Sequence, residues 1–161
     1  MSLYNLPHFK TIESEEVDEL YQSTMEYNKT EIPIEIHFEA INATVNDLNK
    51  IKIFLTKLSI FDEIALDDIK DDFHNCDTIT EYIDFLLEDL ELTDLKSLID
   101  SNHKHIKEQL LHKIHLIGLQ FYPEKTNQFV VFNYSVGTSY TSAHIEVHFN
   151  DKGEVAYMTI E

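Results

Sequence analysis

An α+β domain, with helices packed on one face of a mostly antiparallel sheet, is the fold class this sequence predicts. Three observations predict it. First, the C-terminal third holds four short runs rich in β-branched and aromatic residues, 114–122, 129–134, 144–149 and 155–160, each bounded by turn residues. Second, Ile34, Ile36 and Phe38 alternate with Glu35, His37 and Glu39, the period-two pattern of a strand with one buried and one wet face. Third, the stretch between them carries apolar residues at helical spacing. Together they predict a C-terminal four-stranded meander, an N-terminal hairpin and about four helices.

Taken in order, residues 1–10 are mixed in character and interrupted by Pro7. Ser14 is placed to cap a short helix with Glu15, Glu16 and Asp18 in its first turn, where acids suit the helix dipole. Met25-Glu26-Tyr27 and the run 32–38 form the predicted hairpin around Asn28-Lys29. Pro33 cannot donate to a ladder, so its arm is expected at a sheet edge, or with Pro33 as its first residue.

Thr44 with Asp47 reads as a cap, and Val45, Leu48, Ile51, Leu55 and Leu58 follow at helical spacing. Leu66, Ile69 and Phe73 mark a second helix over about 62–74. A third opens on Thr78-Ile79-Thr80-Glu81, which has the form of a capping box, and carries a stripe of Ile79, Tyr82, Ile83, Leu86, Leu87 and Leu90 wide enough to face a core. A turn over 94–99 and a fourth helix around Ile106, Leu110 and Leu111 lead into the meander, with His103-Lys104-His105 at that helix's start. In the meander Asp151-Lys152-Gly153 is a tight turn that uses the positive φ open to glycine. Residues 129–132 are apolar on both parities, which places that strand centrally and covered on both faces. No linker, repeat or low-complexity segment divides the chain, so residues 1–161 read as a single domain.

Composition narrows the function. The 161 residues carry 12 lysines, no arginine and 30 acids, a net charge of −18. That argues against nucleic acid, which needs a basic surface, and in favour of a basic partner or of solubility. With a lone cysteine, Cys76, there is no internal disulfide and no cysteine-based zinc site. No apolar run reaches membrane-spanning length and no signal-peptide pattern opens the chain, so no membrane partner is expected and the cytoplasm is the expected compartment.

No reaction centre is recognisable, and the chain reads as non-enzymatic and cofactor-free. Three glycines, at 118, 137 and 153, leave no phosphate-cradling loop. Ser135 sits in a strand-turn-strand context, which is not a nucleophile elbow. Nine histidines raise the question of a metal, and His144-x-Glu146-x-His148 is the best constellation. Ligands two apart on one strand stand nearly 7 Å from one another, so zinc would need help from another strand, for instance His37 or Glu35. The plainer reading is a polar row alternating with Ile145, Val147 and Phe149.

Charge is distributed unevenly. Residues 62–100 contain fourteen acids and two lysines, Lys70 and Lys96. On the second helix Asp67, Asp68, Asp71 and Asp72 share the face opposite Leu66, Ile69 and Phe73; on the third, Glu81, Asp84, Glu88 and Glu91 form the outer stripe. Like charges at these spacings cost a few tenths of a kcal/mol each. These eight acids are read either as a solvated surface or as a docking face for a basic protein.

Several short motifs carry a resemblance: Ile117-Gly118-Leu119, Tyr122-Pro123, Asn133-Tyr134-Ser135-x-Gly137 and Phe149-x-Asp151-x-Gly153-Glu154 near the C-terminus, with Leu6-Pro7-x-Phe9 and Glu81-Tyr82-Ile83-x-Phe85 in the other half. In these the chain resembles a bacterial family, the domain-of-unknown-function family numbered two thousand and four, over nearly its whole length. Lys10, where the pattern has glycine, and Asn133, where it has aspartate, depart from it. The family has no established activity; some members are regarded, from the company their genes keep, as immunity proteins of bacterial toxin systems. The resemblance therefore implies an immunity protein, and that implication agrees with the acidic face, because many toxins of this kind are basic nucleases. The alternatives are a small metal-dependent enzyme or module using the strand histidines, and a structural or regulatory homo-oligomer.

Overall fold

The structure, a computed structural model, describes residues 2–100 and 105–161. His103 and Lys104, part of the expected helix start, lie outside them. Among the described residues the chain forms eight strands and five helices: β1 (Leu3–Tyr4), β2 (Ile12–Glu13), β3 (Leu20–Tyr27), β4 (Thr30–His37), α1 (Val45–Thr56), α2 (Leu58–Asn75), α3 (Thr78–Asp89), α4 (Leu92–Leu98), α5 (Ile106–Lys113), β5 (His115–Phe121), β6 (Val130–Ser135), β7 (Ile145–Phe149) and β8 (Val155–Ile160). This is the α+β class, with one helix more than expected and a larger sheet.

The predicted meander forms four strands of a six-stranded sheet, β5-β6-β7-β8, and the predicted hairpin forms the other two, β3-β4. Asn28 and Lys29 turn that hairpin, both at positive φ (49° and 65°), as a two-residue turn matched to strand twist requires. The two parts join through β4 and β5, which pair in parallel (Ile34 with Leu119, Ile36 with Phe121), so the sheet is mixed. All five helices lie in the crossover between these two strands, as a parallel connection demands.

Two local expectations are corrected. Ser14 opens no helix: its N–H donates to the Ser2 carbonyl (2.9 Å) and its own carbonyl accepts from Ala43 N–H (2.8 Å), so its backbone is held between two extended segments. Residues 3–4 and 12–13 pair instead as a small second sheet, and Ile12 within it and Leu6 in its connecting loop are buried in the core. Pro33 is neither on an edge strand nor first in its strand. It is the fourth residue of β4 and pairs with Thr24 of β3. The ladder to β5 begins one residue later, at Ile34, so the missing N–H falls where the second neighbour has not yet engaged. The Pro33 ring packs over Gly118, where an added Cβ would lie 3.3 Å from the Pro33 carbonyl oxygen.

Strand alternation sorts the sheet into two faces. One carries Ile32, Ile34, Ile36, Leu119, Phe121, Phe132, Tyr134, Ile145, Val147 and Phe149, all buried. Phe54 of α1 sits over it, with ring centroids 5.8–6.3 Å from Phe121, Phe129, Phe132 and Phe149. Gly153 (φ 81°) lets the β7–β8 turn close against Phe61 of α2, whose ring stands 2.9 Å from where a Cβ would be. Thr44 caps α1 as expected, accepting from Asp47 N–H at 3.1 Å, although Val45, expected in the apolar stripe, is exposed. The described residues form no helix long and apolar enough to cross a membrane.

Candidate functional site

Seven of the eight acids singled out from the sequence are exposed: Asp67, Asp68 and Asp71 on α2, Glu81, Asp84 and Glu88 on α3, and Glu91, the residue just before α4. Asp72 is half-buried. Among the described residues one cation pairs with any of them, Lys107 of α5 on Asp84 at 2.8 Å. Asp68, Asp71 and Asp72 come together in a shallow groove between α2 and β8, which none of the other five lines. There, burial and then the neighbouring charges of Asp71 and Asp72 push the Asp68 carboxyl above its ordinary range.

Asp72 does not point freely to solvent. Its Oδ1 accepts the backbone N–H of Ile79 at 2.7 Å, so α3 is capped from α2. Thr78 is already the first residue of α3, and Asp77, at the N-cap, makes no side-chain cap. The expected capping box therefore does not form, because another helix's carboxylate supplies the acceptor.

The sheet's other face bears Glu35, His37, Gln120, Val131, Asn133, Glu146, His148, Tyr157 and Thr159, and the helix contacts described above fall on the opposite side. Two histidine–carboxylate groups occupy it. In one, Glu35 accepts from Gln22 Nε2 (3.3 Å) and pairs with His37 Nε2 (2.8 Å). Burial works to raise the Glu35 pKa, but its His37 and Gln22 hydrogen bonds outweigh this and hold the carboxyl below its usual value. His37 stacks on Tyr122, centroids 4.9 Å apart. In the other group, Glu146 lies between His148 (3.3 Å) and His144 (3.5 Å), and His148 stacks on Tyr157 at 4.1 Å.

His148 is 3% exposed, and its Nδ1 is buried without a partner, as is Asn133 Oδ1. Burial pushes the His148 pKa down despite the opposing effect of the Glu146 and Glu161 charges. Among the described residues no three His, Cys, Asp or Glu side chains are arranged to hold a metal ion. The central strand β6 is covered on this face by neighbouring side chains, with Val131 at 1% exposure.

A third polar centre went unnoticed in the sequence. Asp62, at the inner side of α2 and 6% exposed, accepts from Tyr27 Oη on β3 and Tyr134 Oη on β6, both at 2.7 Å. Burial, with the Asp62 carboxylate, drives both phenols well above their usual pKa. In the sequence Asp62 is one more member of the acidic run; only the assembled sheet, with β3 and β6 separated by two strands, brings the tyrosines to it.

The fold and these centres define an α+β protein with an acidic helical layer over a mixed six-stranded sheet. Compared with known proteins, the chain matches no family model, no curated protein and no solved structure.

Proposed function

We propose that the chain is a non-enzymatic binding protein that holds a basic protein partner through the acidic face of α2 and α3. The observation that carries this reading is the lack of compensation: of the eight acids, Asp84 alone has a described lysine at hand. A surface that retains repulsive pairs on adjacent helices has spare potential for a partner's lysines and arginines. The resemblance to a family with immunity proteins gives that partner a class, a basic bacterial toxin met in the cytoplasm. The metal-dependent alternative has less support, because His144, Glu146 and His148 lie on or just before one strand, β7, and among the described residues they form no group arranged to hold a metal ion.

The experiment is association kinetics of the wild type and of an Asp67→Asn, Asp68→Asn, Asp71→Asn variant against the product of the neighbouring gene, at two salt concentrations. Asp72 is left in place because it caps α3. Electrostatic steering raises on-rates by about 10 to 1000 fold and is screened within about 8 Å at 0.15 M salt. The variant is expected to associate more slowly and with a flatter salt dependence. Salt-independent wild-type binding, or an unchanged on-rate in the variant, would overturn the reading.

A further inference from the structure

β8 closes the sheet at one end with β7 as its sole strand neighbour. The exchange of hydrogen bonds between His144 and Glu161, 2.9 Å in both directions, fixes which residues face outward. In an antiparallel ladder bonded and non-bonded pairs alternate, so Glu146–Thr159 and His148–Tyr157 are bonded pairs and Val147–Met158 and Ile145–Ile160 are not. The N–H and C=O groups of Met158 and Ile160 therefore point away from β7, on the side where β8 has no strand partner. Strand edges are ordinarily blunted by charge, proline or a bulge within the strand, or by a helix or loop laid over it, and α3 packs near β8. Along β3, the opposite edge, Gln22, Thr24 and Glu26 break up the surface. Val155–Ile160 has no charge and no proline, and its bulge lies at the β8 start, between His148 and Phe149 on the partner strand.

An edge strand with neither charge nor proline invites another strand, and charge decides which. Along its first half the edge is bordered by the groove that holds Asp68, Asp71 and Asp72. A second copy would bring three more aspartates and a further net charge of −18 to the same place, which disfavours β8–β8 pairing. We infer that β8 accepts an extended segment of a basic protein as a seventh strand, with lysines or arginines at alternate positions turned toward α2. Strand addition supplies affinity through the main chain and specificity through alternate side chains. The residues of the other parity lie beside Tyr157, which is 44% exposed. This rests on the acidic-face reading and adds to it the conformation of the partner.

The test uses a ten-residue peptide alternating Lys and Val, the same peptide N-methylated on one edge, and an alternating Glu and Val control. Hydrogen exchange of the Met158 and Ile160 amides is followed by NMR at low salt. The Lys–Val peptide is expected to protect both amides, and N-methylation to weaken binding about tenfold or more while leaving charge unchanged. The control peptide is expected not to bind. Binding that is indifferent to N-methylation and leaves Met158 and Ile160 unprotected would overturn strand addition while sparing the acidic face. Protection that survives Asp68→Asn with Asp71→Asn at undiminished affinity would instead overturn the role of charge. Absence of any binding by the Lys–Val peptide would overturn the inference outright.

Discussion

The carboxylate of Asp72 in α2 caps α3 by accepting the Ile79 N–H at 2.7 Å. One member of the acidic face is thus part of the fold. A helix N-terminus leaves donors unsatisfied and carries partial positive charge, so a carboxylate there stabilises twice over. Asp72→Ala should cost about 1 kcal/mol, as loss of a cap does, and lower the melting temperature by roughly 2–4 °C for a chain of this size. Asp67→Asn and Asp71→Asn should leave it unchanged or raise it slightly by removing repulsion. Thermal melts of the three single variants check this. Equal effects at all three positions would mean that the cap is not a stabilising feature.

The Tyr27–Asp62–Tyr134 arrangement ties α2 to strands at separate places in the sheet. Hydrogen bonds to a charged group contribute about 1.5–3 kcal/mol, so Tyr134→Phe should destabilise by that order. Tyr27→Phe should cost less, since its hydroxyl is nearer solvent. The folded-state pKa of both phenols lies above the ordinary value near 10. The unfolded chain therefore loses these protons first, and their contribution is complete below pH 10 and falls away above it. Urea midpoints at pH 8 and pH 10.5 should show a steep loss in the wild type and a shallower one in the Tyr27→Phe, Tyr134→Phe double variant.

Phe132 lies on the central strand with no exposed surface, its ring 4.7 Å from Phe149 and 6.3 Å from Phe54 between centroids. Truncation there leaves a cavity bounded by aromatic rings from both layers, which relax poorly. Phe132→Ala should cost about 3–5 kcal/mol, a large share of the stability of an ordinary domain. A variant with unchanged denaturant midpoint would place the ring outside the core.

What was legible in the sequence is what has local period. The meander, the Asn28-Lys29 turn, the Thr44 cap and the stripe Ile79, Tyr82, Ile83, Leu86 all follow from alternation or helical spacing, and the structure has them in place. What was hidden depends on partners far along the chain. β1 and β2 are two residues each, too short for a pattern, and Ser14 satisfies a cap rule while its backbone is claimed by Ser2 and Ala43. The parallel join of β4 to β5 spans all the helices and leaves no sequence trace. The same holds for the polar centres. The His144, Glu146, His148 row is visible as an alternation, but nothing in the run of acids distinguishes Asp62 or Asp72 from Asp67.

His148 supplies the last prediction. Its ring faces Glu146, Tyr157 and Thr159, with the Glu161 charge also felt, yet burial dominates and lowers its pKa below the ordinary 6.5. The unfolded chain thus binds a proton that the folded chain refuses, so stability rises with pH across this interval and falls on acidification from pH 7.5 through 6.5 toward the folded value. One such proton contributes a slope of at most about 1.4 kcal/mol per pH unit. Glu35, whose carboxyl is held low, acts below its ordinary 4.5 and so does not overlap this window. Urea unfolding of the wild type and of His148→Gln at half-unit steps from pH 7.5 to pH 5.5 isolates the effect as the difference between the two curves. The expected outcome is a wild-type midpoint that drops more steeply with acid than the variant's. Parallel curves would mean that the ring takes up its proton in the folded state as readily as in the unfolded chain, with Glu146 compensating in full for the burial.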